Sequence, residues 1–280
     1  MPLKRPGVAL TIAGSDPSGG AGLQMDLRCF ASAGVHGCSV VTAVTVQNTQ
    51  GVRSANPVPP RVVRAQLDAV YDDFDVAAAK TGMLHDAGIV SVVADRMRKE
   101  GTPLVVDPVL SATHGAPLAR PDLVGAIRRR LLPAALLVTP NIAEAGTLTG
   151  VRMDGLDSMK LACAALSRMG AQNVLLKGGH LSGRDARDLF YDGEFHFLAA
   201  RRHKRDVHGA GCMLSALVAG MLATGMPLEN AVLFAKARVA EAIRRSTRPG
   251  RGRAVGAPGF VSISSALYTS RSFRSRGRLS

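Results

Sequence analysis

The residues best suited to chemistry lie at Gly209-Ala210-Gly211-Cys212, where two glycines precede a stretch rich in small residues that reads as a helix. The first turn of a helix carries N–H groups without intrahelical acceptors and the positive end of the dipole, so it attracts phosphate groups. Glycine lets the backbone approach such a group closely, and the same field favours a thiolate at Cys212. Spacing alone leaves a second reading open, a tight turn ahead of a core helix with an inert cysteine. A second cluster, Ala13-Gly14-Ser15-Asp16 continuing through Gly19-Gly20-Ala21-Gly22 to Asp26, leaves a strand and opens a helix, the position of ligand loops in parallel sheets. It has neither the Walker spacing nor a clean G-x-G-x-x-G, which disfavours both of those nucleotide folds. Close helix packing would explain its glycines but not Ser15, Asp16 and Asp26.

Further acids stand where strands should end. Val105-Val106-Asp107-Pro108 and Thr139-Pro140-Asn141-Ile142-Ala143-Glu144 each place a carboxylate at or just beyond such an end. Mg²⁺ takes hard oxygen ligands, and Asn141 and Glu144, three apart on a first helical turn, share a face from which to hold metal-bound waters. An N-cap Asn with an acid facing the dipole accounts for the pair equally well. Leu176-Lys177-Gly178-Gly179-His180 offers a point charge for a nucleotide phosphate, or a strand-end lysine reaching for solvent. His180 and His208 lack any pattern of partner ligands and read as hydrogen-bonded structural histidines rather than zinc ligands.

The elements that must position these residues alternate along the chain. Apolar runs at Val8–Ala13, Ser39–Val46, Val76–Lys80, Leu104–Val109, Ala135–Thr139 and Asn173–Lys177 read as strands. Amphipathic stretches at Gly22–Ala33, Pro60–Asp72, Ala87–Lys99, Pro121–Leu131, Ser158–Met169, Cys212–Ala223 and Leu228–Arg244 read as helices. The alternation predicts an α/β fold, a mostly parallel sheet with helices on both faces. Asp192-Gly193, between Arg187–Tyr191 and Glu194–Leu198, predicts a hairpin that adds antiparallel strands at one edge. After Thr247 the chain turns rich in Gly, Pro and Arg, and 261–280 reads as a mobile Ser/Arg tail behind a single domain over 1–260.

Composition excludes several functions. Trp is absent and aromatics are 4%, which argues against a stacking platform for single-stranded nucleic acid. Of the net charge of +14, the last forty residues hold nine Arg against Glu241, or +8, leaving +6 for the rest. That surplus suits anionic substrates and also a plain solvated surface, and nucleic acid is not the expected partner. The four cysteines have no CxxC spacing and the N-terminus has no signal-peptide pattern, so a reduced cytoplasmic protein is expected. No apolar run approaches the roughly 20 residues that span a bilayer.

In register, the segments resemble the hydroxymethylpyrimidine and phosphomethylpyrimidine kinases of thiamine synthesis, within the ribokinase-like superfamily. The resemblance runs from Val8 to about Phe260. It rests on Ala13-Gly14-Ser15-Asp16 with Gly19 to Asp26, Ala43-Val-Thr-Val-Gln-Asn-Thr49, Lys80-Thr-Gly-Met-Leu84, Val106-Asp-Pro-Val109, Thr139-Pro-Asn141 with Glu144, Lys177-Gly-Gly-His180 and His208-Gly-Ala-Gly-Cys212. It implies a ribokinase-like three-layer sandwich, a homodimer, and transfer of the ATP γ-phosphate to an aminopyrimidine alcohol and then to its monophosphate. By resemblance Gly14, Asp26, Gln47, Met83 and Val109 line the pyrimidine pocket. Asp107 and Glu144 would organise Mg²⁺, Asn141, Lys177 and His208 would face ATP, and Cys212 with Gly209, Ala210 and Gly211 would form the catalytic anion hole.

Family members commonly carry Thr where this chain has Ala210 and Met213, and Lys where it has Thr113. Transfer to an alcohol also benefits from a base, a role a Cys212 thiolate would fill. The enzymatic rival is a pyridoxal kinase of the same superfamily; from another class, an inactive ligand sensor or a nucleic-acid binder using the Arg-rich tail would carry the same sequence features.

Overall fold

The computed structural model describes residues 6–110, 122–179, 185–201 and 207–259. Its centre is a nine-stranded sheet. Strands β1 (Val8–Ser15), β2 (His36–Asn48), β4 (Val76–Thr81), β5 (Leu104–Val106), β6 (Leu137–Val138) and β7 (Asn173–Leu176) run parallel in the order β2-β1-β4-β5-β6-β7. Beside β7 lies the expected hairpin, β8 (Asp185–Tyr191) and β9 (Phe195–Arg201), turning at Asp192-Gly193. The opposite edge departs from expectation. There β2 outlasts its predicted span and pairs antiparallel with β3 (Gly51–Pro57), a strand the sequence hides because Asn, Pro and Gly dilute it and only Val52 is buried.

Alternation along the buried strands divides the core into two layers. Leu10, Ile12, Leu104, Val106, Val138, Val174 and Leu176 pack on one face, while Ala9, Ala78, Val105, Leu137 and Leu175 pack on the other. Helices α2 (Pro60–Tyr71), α3 (Ala87–Glu100), α4 (Leu123–Ala126), α5 (Ile142–Thr149) and α6 (Leu156–Arg168) cover the first face; α1 (Gly22–Ser32), α7 (Ala210–Ala223) and α8 (Leu228–Arg244) cover the second. This is the predicted sandwich. No helix of the described residues is long and apolar enough to cross a membrane.

Local signals set most helix ends. Asp86 accepts from Ile89 N at 3.0 Å to start α3, and Gly101 ends it with φ of 65°. The helix expected over Pro121–Leu131 is regular only to Ala126 and then widens, with Leu132 N bonding back to Ile127 O ahead of Pro133. Helix α6 begins before the expected Ser158, because that hydroxyl is at 3.0 Å from both Asp154 N and Gly155 N. Helix α7 likewise begins at Ala210 rather than Cys212, so the glycine turn is itself the first helical turn. Val207–His208 (β10), just before α7, and Ala254–Val255 (β11), beyond α8, form a small separate parallel pair.

Candidate active site

Strands β1, β4, β5, β6 and β7 all end on one edge of the sheet, and the residues that follow them are Asp16, Met83, Asp107, Asn141 and Lys177. This is the edge on which open α/β sheets bind ligands. Helix α7 starts over the same edge. Its Met213 N–H is the first to bond within the turn, to Gly209 O at 2.9 Å, leaving the N–H groups of Ala210, Gly211 and Cys212 without intrahelical acceptors. Gly209 has φ of 76°, and a side chain there would strike the Gly20 carbonyl, so both the backbone angle and the space require glycine.

The sequence-predicted residues separate into two groups beside this turn. On one side Met83 joins Ala43 and Val52 in a small apolar cluster outside the two main cores, with Val109 packed against it. Gly14 faces them: a Cβ there would sit 2.5 Å from Met83 Cε. Gln47 reaches His208 Nε2 at 2.9 Å, and the same ring nitrogen lies 3.0 Å from Asp16 Oδ2. Burial works against charge on Asp16, but bonds from His208 and Ser18 outweigh it and hold the carboxyl below its usual value. A nitrogen that donates to this carboxylate cannot also accept, so Gln47 must turn its amide oxygen to His208 and its NH₂ to Thr45 Oγ1, 3.4 Å away, which itself donates to Ser15 O. His208, expected on the nucleotide side, thus makes its contacts on the side of Gln47.

On the other side Lys177 Nζ donates to Asp107 Oδ1 at 2.9 Å, and Ser215 Oγ lies 3.3 Å from Asp107 Oδ2. The ammonium also borders the turn, since a Cβ on Gly211 would lie 3.1 Å from it. Burial opposes ionisation of Asp107, but Lys177 and Lys80 prevail and keep it a carboxylate. Asn141 and Glu144 form the capping box: Glu144 N donates to Asn141 Oδ1 at 2.9 Å and Asn141 N to Glu144 Oε2 at 2.8 Å. Burial pushes Glu144 up to about 7; Lys177 pulls against this, while Asp107 adds to it.

Two further expectations change. Asp26 is fully buried, with Oδ2 accepting from Thr11 Oγ1 at 2.6 Å and from Lys80 Nζ at 2.8 Å, and Oδ1 unpartnered. Burial raises its carboxyl, with Lys80 and Thr11 opposing. The thiolate expected at Cys212 is not favoured in the resting protein. Burial pushes that thiol up to about 12; Lys80 and the Gly22 N–H lower it, but Asp107 and Asp26 raise it further. About half a charge at a helix end does not offset those effects.

Sequence reasoning gave Lys80 no role, although a lysine ending the otherwise apolar Val-Ala-Ala-Ala run is the signal for one. It is wholly buried and held charged: burial disfavours the ammonium, but the Asp26 and Asp107 carboxylates outweigh that. Thr113 and His180 lie outside the described residues.

Among described residues no group of three or more His, Cys, Asp or Glu side chains assembles. Any cation here would therefore rest on Asp107 and Glu144 with phosphate and water oxygens, the sparse protein set that suits Mg²⁺. The mutual repulsion of these carboxylates is what such an ion relieves.

The phosphomethylpyrimidine kinase family model matches residues 16–256. The chain belongs to that family. Among its relatives is the hydroxymethylpyrimidine/phosphomethylpyrimidine kinase of Rhizobium meliloti, 48% identical over 251 residues and covering 88% of this chain and 94% of that protein. The thiamine biosynthesis bifunctional protein ThiED of Geobacter sulfurreducens is 46% identical over 249 residues, covering 88% of this chain and 51% of that protein. A solved pyridoxal kinase from Staphylococcus aureus, in complex with AMP-PCP and pyridoxal, superposes with a TM-score of 0.84 at 33% identity, over 92% of this chain and 95% of that one. The chain is thus a kinase of the ribokinase-like fold. Pyridoxal kinase enters as a structural relative at lower identity than the pyrimidine kinases, so that alternative is not favoured.

Proposed function

We propose that this kinase transfers the γ-phosphate of ATP to 4-amino-5-hydroxymethyl-2-methylpyrimidine and then to the resulting monophosphate, for thiamine biosynthesis. The observation that carries the reading is the placement of the α7 turn between an acceptor-type pocket and a carboxylate–lysine pair. Gly14, Met83 and Val109 supply a flat apolar wall for a ring, and Gln47 supplies an amide with both donor and acceptor for an aminopyrimidine edge. Asp26, fully buried and paired with Lys80, would support the pocket from within the fold rather than line it.

Phosphoryl transfer asks mainly for alignment and charge neutralisation. The free N–H groups at Ala210, Gly211 and Cys212 would hold the transferring phosphoryl oxygens, a task backbone amides perform without the hydroxyls absent at positions 210 and 213. Lys177 would exchange part of its contact with Asp107 for nucleotide phosphate, with Asn141 beside it, while His208, the residue before the turn, is held by Asp16. Asp107 and Glu144 would hold Mg²⁺, which when bound supplies positive charge against the phosphates. The kinase unit spans 1–260, works as a cytoplasmic homodimer, and leaves 261–280 outside the reaction.

The reading is tested by incubating the full chain with ATP, Mg²⁺ and the pyrimidine alcohol and following products by mass. Appearance of the mono- and then the diphosphate supports it. Turnover of pyridoxal with none of the pyrimidine would overturn it.

A further inference from the structure

Strand β2 runs past its parallel neighbour. The β1–β2 register ends at Ser15 opposite Val44, so Thr45–Asn48 pair only with β3. A two-stranded ribbon is weakly held by itself, yet this one carries Gln47. What holds its tip is the segment after α8. Thr247 and Val255 exchange hydrogen bonds of 3.1 and 2.8 Å and close the loop between them. That loop lies on the hairpin tip: Thr49 Oγ1 accepts from Gly252 N at 3.1 Å and Thr49 O from Arg253 N at 2.9 Å.

The approach leaves no room for side chains. A Cβ on Gly252 would run into the Thr49 carbonyl, and one on Gly250 would lie 2.6 Å from Thr49 Oγ1. Neither glycine has positive φ, so contact with Thr49, rather than turn geometry, explains both. The same unit grips the hairpin a second time. Strand β11 at the end of the loop pairs with β10, whose His208 holds the Gln47 amide.

The geometry points to Thr49 as a positioning residue for the acceptor: seated on Gly250 and Gly252, it fixes the hairpin tip so that Gln47 meets the pyrimidine edge. This rests on the aminopyrimidine reading of the pocket. Thr49 acts through Gln47, which sets its signature apart from a general loss of structure.

The test is steady-state kinetics of the full-length Thr49→Val protein with pyrimidine and ATP varied separately. Loss of the acceptor for Gly252 N–H raises the KM for the pyrimidine about five- to tenfold, with kcat and the KM for ATP within about twofold. Thr49→Ser restores the wild-type value, and Gly252→Ala repeats the rise from the other side. In a Gln47→Ala background, Thr49→Val adds less than about twofold, because the path through Gln47 is already cut. An unchanged pyrimidine KM, a joint loss in kcat and both KM values, or full additivity with Gln47→Ala overturns the inference. If the wild-type chain turns over no pyrimidine, the substrate reading fails instead. The clasp is then read by hydrogen exchange at the Gln47 and Gln50 amides, which quickens in Thr49→Val if Thr49 holds the tip and stays unchanged if it does not.

Discussion

Alkylation of Cys212 in the resting protein should be slow and should climb with pH far beyond the range of an ordinary cysteine. With burial and the Asp107 and Asp26 carboxylates pushing the thiol to about 12, about one molecule in 30,000 carries the thiolate at pH 7.5, against roughly one in ten for an ordinary thiol. That is a deficit of about 3,000-fold. A more basic thiolate is intrinsically more nucleophilic, and a Brønsted slope near 0.45 returns about 40-fold, leaving labelling roughly 80-fold slow. The other three cysteines are buried, and at Cys212 the residue is partly exposed although its thiol is desolvated, so mass-resolved labelling with iodoacetamide reads one site. The rate should rise about tenfold per pH unit through pH 10, and Asp107→Asn, which removes a raising charge, should shift the curve toward lower pH. Half-maximal labelling near pH 8 would refute the electrostatic account of the turn, and so would an Asp107→Asn curve displaced upward.

Cys212→Ala should reduce phosphorylation of the alcohol and of the monophosphate by similar factors, because the un-ionised thiol supplies no base and the backbone N–H survives; separate assays on each acceptor check this, and a loss confined to the alcohol would reinstate a base role. Glu144→Gln should stabilise the protein at pH 8. A carboxyl raised to about 7 costs nothing below its unfolded value near 4.5, destabilises increasingly between there and 7 and levels off above, so urea unfolding should show a gain of up to about 3 kcal/mol at pH 8 and none at pH 4. Lys80→Met should cost roughly 3–5 kcal/mol by leaving Asp26 buried without its partner, and Asp26→Asn in the same chain should return much of that. A double variant less stable than Lys80→Met alone would count against the pair.

Much of the site was legible because its residues follow strands whose apolar runs are plain in the sequence. Asp107 and Lys177 stand just beyond Val106 and Leu176, and the Asn141–Glu144 spacing announced the cap that forms. Gly14 and Val109 lie against Met83, three residues the family resemblance places together. The rest depends on tertiary context. Strand β3 exists through its pairing with β2, not through its own propensity. The Gly250 and Gly252 loop reads as irregular until Thr49 is placed against it. Met213, where a hydroxyl was expected, is fully buried with its methyl against Gly256, so that position serves the core instead. The Cys212 thiolate was overestimated because sequence displays the helix start but not the depth of burial or the carboxylates below it.

The most direct measurement remains product analysis of the purified full-length chain with ATP, Mg²⁺ and 4-amino-5-hydroxymethyl-2-methylpyrimidine, alongside Gln47→Ala and Lys177→Ala. The account predicts sequential mono- and diphosphate in the wild type, a raised pyrimidine KM in the first variant and a raised ATP KM in the second. Phosphorylation that ignores the pyrimidine, or variants whose defects fall on the opposite substrates, would contradict it.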